Sequence, residues 1–230
     1  MYKRQLISID YDPASAPEVQ PMLLAVLRHL FKKQLVPVVM ALWPLGPPLG
    51  QEALTQIAKE FNKIRKEQGL PPLEYGKDYV MLDYRPGGPS VILSIGREFR
   101  DAYSSDFRGI PLDELPVMRN IHNYRDFGAV VGLEAGATGD AWAQAQPRFG
   151  FKLILGGTAV TTPDWYPYLN SGQIRGLIGG LKGASEYEQL VLHPDVASFG
   201  MAAQSVVHLL IILFIILGNI GYFVLQRGKK

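Results

Sequence analysis

The chain has no cysteine, so disulfides, thiolate metal sites and cysteine nucleophiles are excluded, although a cysteine-free sequence suits both reducing and oxidising compartments. Its four histidines are dispersed: His29 in a helical segment, His122 in a loop, His193 before Pro194, and His208 at the head of an apolar run. No two have the spacing of metal ligands, so no metal and no cofactor is expected. Charge of one sign is also scarce in excess, with 23 Lys and Arg against 21 Asp and Glu. The basic residues form only short clusters, Lys32-Lys33 and Lys63 to Lys66. No stripe for a phosphate backbone results, which argues against nucleic acid as a partner. Neither a G-x-x-x-x-G-K-[ST] phosphate loop, nor G-x-G-x-x-G, nor a G-x-S-x-G nucleophile elbow occurs.

What is present begins at the C-terminus. Residues 206–225, within "VVHLLIILFIILGNIGYFVLQRGKK", carry no formal charge. At 1.5 Å per residue, about twenty helical residues cross the roughly 30 Å hydrocarbon core of a bilayer. A core helix is usually shorter and keeps a polar stripe. A single transmembrane helix is therefore expected at 206–225, with the lipid bilayer as a partner. Arg227, Lys229 and Lys230 follow it, whereas the preceding "HPDVASFGMAAQS" has no Lys or Arg. The positive-inside rule puts this basic tail, 226–230, in the cytoplasm and the domain outside. "MYKRQLISIDYDP" contains no apolar segment of signal-peptide length. Two arrangements follow: a tail-anchored protein with a cytosolic domain, or an extracytoplasmic domain exported by a membrane segment upstream of this sequence.

Ahead of the anchor, apolar runs alternate with helical patterns. "RQLISID", "VPVVMALWP", "DYVMLDYRPGG", "RDFGAVVGLEAG" and "FKLILGGTAV" read as strands that are apolar throughout. "PEVQPMLLAVLRHLFKKQ", "QEALTQIAKEFNKIRKEQG" and "GDAWAQAQPRFG" read as helices between them, and "PSVILSIGREFRDAY" as a helix or a short extension. The pattern predicts one α/β domain over residues 1–195: a mostly parallel sheet of about five strands with helices on both faces. A juxtamembrane linker is expected at 196–205. "SGQIRGLIGGLKGASEYEQLV" reads as a further helix capped by Ser171, with Gly176, Gly179, Gly180 and Gly183 along one face. Four glycines in a helix would cost about 4 kcal/mol against alanine. Close backbone contact would offset that cost, either internally or with another chain; an irregular loop is the third reading.

In a parallel sheet, sites form beyond the carboxyl ends of the strands. There stand Asp10 and Asp12, Trp43, Asp83 and Arg85, Glu134, and Gly156, Gly157 and Thr158. The four carboxylates are the weak catalytic candidates. Asp10 and Asp12 could hold a cation or act as an acid–base pair, but the favoured reading has Asp12-Pro13 opening a turn that caps the next helix. Trp43, Arg85, the two glycines with Thr158, and the proline-framed Tyr166 and Tyr168 are ligand-binding candidates; loop packing explains the aromatics equally well. In the span, Gly218 and Gly221 flatten one side beside Asn219, whose amide is costly to leave unpaired in hydrocarbon. This side is a candidate interface, with a homo-oligomer or other integral subunits as partners.

The motifs "IDYDPASAPEVQPM", "ALWPLGPPL", "YGKDYVMLDYRPGG", "PLDELPVMRNI" and "YPYLNSGQIRGLIGGLKGASEYEQL" resemble those of a family of uncharacterised bacterial membrane proteins. In that family an α/β domain sits between an N-terminal and a C-terminal transmembrane helix. The resemblance implies a fold and a membrane location, and no activity or catalytic residue. The expected function is a membrane-anchored, non-enzymatic domain serving as a structural or ligand-sensing subunit of a membrane assembly. The competing expectation is a membrane-tethered hydrolase using the strand-end carboxylates; convergence of those groups would favour it.

Overall fold

The computed structural model describes residues 4–227. Residues 1–3 and 228–230, and with them Lys229 and Lys230 of the basic tail, lie outside the described part.

Six strands form one sheet: β1 (Arg4–Asp10), β2 (Val36–Ala41), β3 (Val80–Tyr84), β4 (Val130–Glu134), β5 (Leu153–Gly157) and β6 (Ile174–Gly179). Their order is β3-β2-β1-β4-β5-β6, and every neighbouring pair is parallel. Apolar residues at consecutive positions meet the need of a sheet covered on both faces. Ile7 and Ile9 enter one core while Leu6 enters the other. Helices α1 (Ala16–Lys32), α2 (Gly46–Glu67) and α7 (Gly180–Leu190) cover the Ile7 face. Helices α3 (Pro89–Arg97), α4 (Phe99–Ala102) and α5 (Thr138–Phe149) cover the Leu6 face, where Trp142, Trp165, Tyr103 and Phe99 are fully buried. A short helix α6 (Tyr166–Asn170) precedes β6.

The sheet has one strand more than the five apolar runs suggest, because the expected glycine-faced helix divides in two. Gly176 and Gly179 lie in β6, while Gly180 and Gly183 open α7, so they share no helix face and Ser171 caps nothing there. Ile174, Leu177 and Ile178 pair along β5. For a glycine-rich, β-branched segment, ladder hydrogen bonds recover what a helix would forfeit. The change from strand to helix falls on Gly180, whose φ is +57°. A Cβ there would also lie 2.9 Å from Ala159 Cβ, so both conformation and space call for glycine.

The last element, α8 (Val196–Arg227), is one continuous helix. Residues 196–205, expected as a linker, form its first turns. From Val196 to Phe223 it is long and apolar enough to cross a membrane, and its most apolar 18 residues are not buried in the domain. Its start is fastened to the domain. The buried Glu188 carboxylate of α7 accepts hydrogen bonds from the backbone N–H groups of Asp195, Ala197 and Ser198 and from the Ser198 hydroxyl. This satisfies the unpaired donors of a helix N-terminus and places negative charge at its positive end. Arg28 of α1, itself buried, reaches Asp195 at 2.7 Å and Glu60 of α2 at 3.0 Å.

Candidate functional site: a buried carboxyl pair at the switch point

The strand order reverses between β1 and β4, and in doubly wound sheets the crevice beyond the carboxyl ends at such a point is where ligands bind. Asp10 ends β1, Glu134 ends β4, and the two are register partners. Strand alternation puts Ser8 and Asp10 on one face and Gly132 and Glu134 on the same face. Gly132 makes the arrangement possible, since a Cβ there would stand 2.7 Å from Glu134 Oε1. Both carboxyls are fully buried.

Their surroundings differ. Asp10 accepts hydrogen bonds from Ser8 Oγ at 2.7 Å, from the Trp43 N–H at 3.1 Å and from the Leu42 N–H. Among the described residues, no donor reaches either oxygen of Glu134. Its neighbour across the register is Asp10, whose negative charge favours the protonated form of Glu134. Burial pushes Glu134 well above the usual carboxylate range, and the Asp10 charge and hydrogen bond push the same way. Burial also raises Asp10, to about 6, against the opposing pull of its hydrogen bonds. The two carboxyls are thus inequivalent, Glu134 holding its proton more tightly than Asp10.

Trp43 covers the pair. Its backbone N–H binds Asp10, and its indole N–H donates to Thr138 Oγ1 at 3.0 Å, at the start of α5. The side chain thus ties the β2 loop to the β4 loop across β1. Beyond it, Arg85 Cζ lies 5.3 Å from the centroid of the Tyr103 ring. The Tyr103 hydroxyl and Arg85 Nε are buried without hydrogen-bond partners. Burial raises the Tyr103 pKa, and the Asp10 charge adds to the rise.

Comparison with protein-family models, curated proteins and solved structures gives no match for the chain. The strand order is the one found in dinucleotide-binding folds, but the turn after β1 reads Asp12-Pro13-Ala14-Ser15. It offers a carboxylate where those folds offer glycines and a close backbone approach to pyrophosphate.

The remaining candidates separate from the pair. Asp12 Oδ1 accepts from the N–H groups of Ala14 and Ser15 and from the Ser15 hydroxyl, which forms the expected turn, but α1 begins at Ala16 with Ser15 as its N-cap and no side-chain cap, so Asp12 does not cap the helix. Asp83 is exposed, with Oδ1 accepting from the Tyr84 N–H. Gly156 and Gly157 serve packing: a Cβ at Gly156 would meet Leu133 at 2.8 Å, and one at Gly157 would meet the Trp165 ring at 2.6 Å. Thr158 Oγ1 lies 2.5 Å from Thr161 Oγ1 and accepts from the Thr161 N–H, closing the next turn. Tyr168 packs on the core. Tyr166 is exposed and lines a cavity of about 340 Å³ with Thr162, Gly179, Lys182 and Gly183. Gly176 and Gly179 sit in the edge strand β6, so an intermolecular contact there would be made by a strand edge rather than a helix face. In α8, Cβ atoms at Gly218 and Gly221 would meet no atom of the described residues within 4 Å, and Asn219 Nδ2 donates to Ile215 O at 2.8 Å within its own helix.

Sequence reasoning missed Ser8, Tyr103 and Glu188. Ser8 had a signal, a hydroxyl two residues before Asp10 on the same strand face. Tyr103 had none, because it follows α4 in irregular chain. Glu188 reads as an ordinary helix-surface carboxylate until α8 folds back beside α7.

Proposed function

We propose that the chain is a membrane-anchored, non-enzymatic α/β domain that serves as a structural or ligand-sensing subunit of a membrane assembly. The observation that supports this is the fastening of α8. The apolar helix begins inside the domain's hydrogen-bond and ion-pair network at Glu188 and Arg28 and continues into the candidate span without a break. A flexible tether would merely keep a domain near the bilayer. A helix built into the domain passes a displacement at one end to the other. Within the assembly, the flat side of the span around Gly218, Asn219 and Gly221 meets a second copy or another integral subunit. The helix-internal bond of Asn219 takes one donor and leaves its carbonyl for a partner.

The test is the mass of the full chain extracted in mild detergent, measured by light scattering. An assembly larger than one chain is expected, and Asn219→Leu with Gly221→Leu should reduce it. A wild-type species of one chain with no integral membrane protein bound would refute the proposal. A specific observation favours a second reading, a membrane-tethered hydrolase: Asp10 and Glu134 form an acid–base pair of unequal proton affinity at the crevice. Hydrolytic activity of the purified chain that disappears in both Asp10→Asn and Glu134→Gln would establish it.

A further inference from the structure

We infer that the carboxyl edge of the sheet faces the bilayer, with the loop tips at Val160 and Leu45 seated in the lipid interface. The inference rests on the reading of α8 as a membrane span. Helix α7 starts at the carboxyl edge, directly after β6, and runs back to the amino edge. Helix α8 then returns antiparallel along it. Asp195 and Ala197 bind Glu188, Ser198 Oγ lies 3.4 Å from Ser185 Oγ, and Gly200 packs on Leu181 at the head of α7. The helix therefore leaves the domain at the carboxyl edge. From residue 202 onward the described side chains are exposed, up to Phe223. The uncharged apolar run begins at Val206, about four residues and roughly 6 Å farther along the axis. The sheet's carboxyl edge and the headgroup region are thereby brought together.

The composition of that edge fits the placement. In the connections that follow β1 to β5, residues 11–15, 42–45, 85–88, 135–137 and 158–161, the charged residues are Asp12 and Arg85. The connections at the opposite edge carry Lys33, Glu74, Lys77, Asp78 and Lys152. Two of the bilayer-side tips expose aliphatic side chains, Leu45 at 53% and Val160 at 86%. Val160 lies beside the point of departure, since its neighbour Ala159 touches Gly180 at the start of α7. Leu45 stands four strands away across the sheet, roughly 19 Å at the usual strand spacing, so Val160 is the deeper of the two. An edge with few charges and aliphatic tips loses less on leaving water than a highly charged one, since each charge carried into the interface is costly. The loops around the buried Asp10 and Glu134, Trp43 among them, consequently face the membrane surface.

The cysteine-free chain allows single labels in the full-length protein. Leu45→Cys, Val160→Cys, Leu70→Cys, Leu192→Cys and Ile216→Cys are each labelled with an environment-sensitive fluorophore. Each variant is reconstituted into phosphatidylcholine vesicles containing nitroxide-labelled phosphatidylcholine. Leu70 and Leu192 are exposed residues of the amino edge, and Ile216 lies within the span. The expected result is quenching at Val160 and Leu45 several-fold stronger than at Leu70 and Leu192, with Val160 the stronger. Quenching at Ile216 without quenching at Val160 and Leu45 would overturn the orientation while leaving the anchor. Absence of quenching at Ile216 would overturn both. An edge covered by another protein gives the first of these refuting patterns.

Discussion

Replacing Glu134 by Gln should make the protein more stable at neutral pH, although Glu134 is fully buried beside Asp10. Both carboxyls have raised proton affinity in the fold: Asp10 from 3.8 to about 6, and Glu134 well above 4.5. The folded chain therefore holds more protons than the unfolded chain above the ordinary carboxylate pKa values. Stability from these groups is complete below about pH 4 and is lost as pH rises, for Asp10 through about 6 and for Glu134 through its higher value. Each group contributes a slope of up to about 1.4 kcal/mol per pH unit while its unfolded form is ionised and its folded form is not. Glutamine has nearly the same shape, cannot ionise, and offers an N–H to Asp10 where the acid offered its proton. Wild type and Glu134→Gln should be similar near pH 5. By pH 8 the variant should lead by at least about 1.4 kcal/mol, which for a domain of this size is roughly 3–6 °C in Tm. The assay is thermal unfolding followed by near-ultraviolet circular dichroism from pH 5 to 8, in one detergent throughout. Parallel pH profiles for the two proteins, or a variant less stable at pH 8, would refute the raised proton affinity of Glu134.

Glu188→Ala should release the first turn of α8 by removing four hydrogen bonds to one carboxylate, each worth about 1.5–3 kcal/mol when the acceptor is charged. Hydrogen exchange of the Asp195, Ala197 and Ser198 amides should accelerate while the β1 amides stay protected; unchanged exchange would show that the clamp is idle. Gly157→Val should cost more than the usual 1–3 kcal/mol of an overpacked core, because its Cβ would sit 2.6 Å from the Trp165 ring. Chemical denaturation measures the loss, and a cost under about 1 kcal/mol would mean that the ring moves freely. For sidedness, a cysteine introduced at the exposed Ser104 should react with an impermeant reagent on intact cells expressing the full native gene product. Protection until lysis would place the domain in the cytoplasm.

The sequence alone determined what local chemistry decides. Apolar runs such as Val36–Ala41 suit the interior of a covered parallel sheet, and the uncharged C-terminal run forms a helix long and apolar enough to cross a membrane. Asp12-Pro13 likewise specified its turn, because its partners Ala14 and Ser15 are adjacent in the chain. Tertiary structure decided whatever depends on residues distant in sequence. The glycines from 176 to 183 have the spacing of a helix face, and only the neighbouring β5 turned their first half into a strand. Asp10 and Glu134 are separated by the greater part of the sheet's sequence, so their pairing waited on the strand order, and with it came burial and raised proton affinity. The direction in which α8 leaves the domain was set in the same way. No local pattern in residues 196–205 specifies it; Glu188 and Leu181, on a helix reached by folding back, do. Periodicity and hydropathy are carried by neighbours along the chain, whereas orientation and proton affinity arise from groups that only the completed sheet and its flanking helices bring within reach.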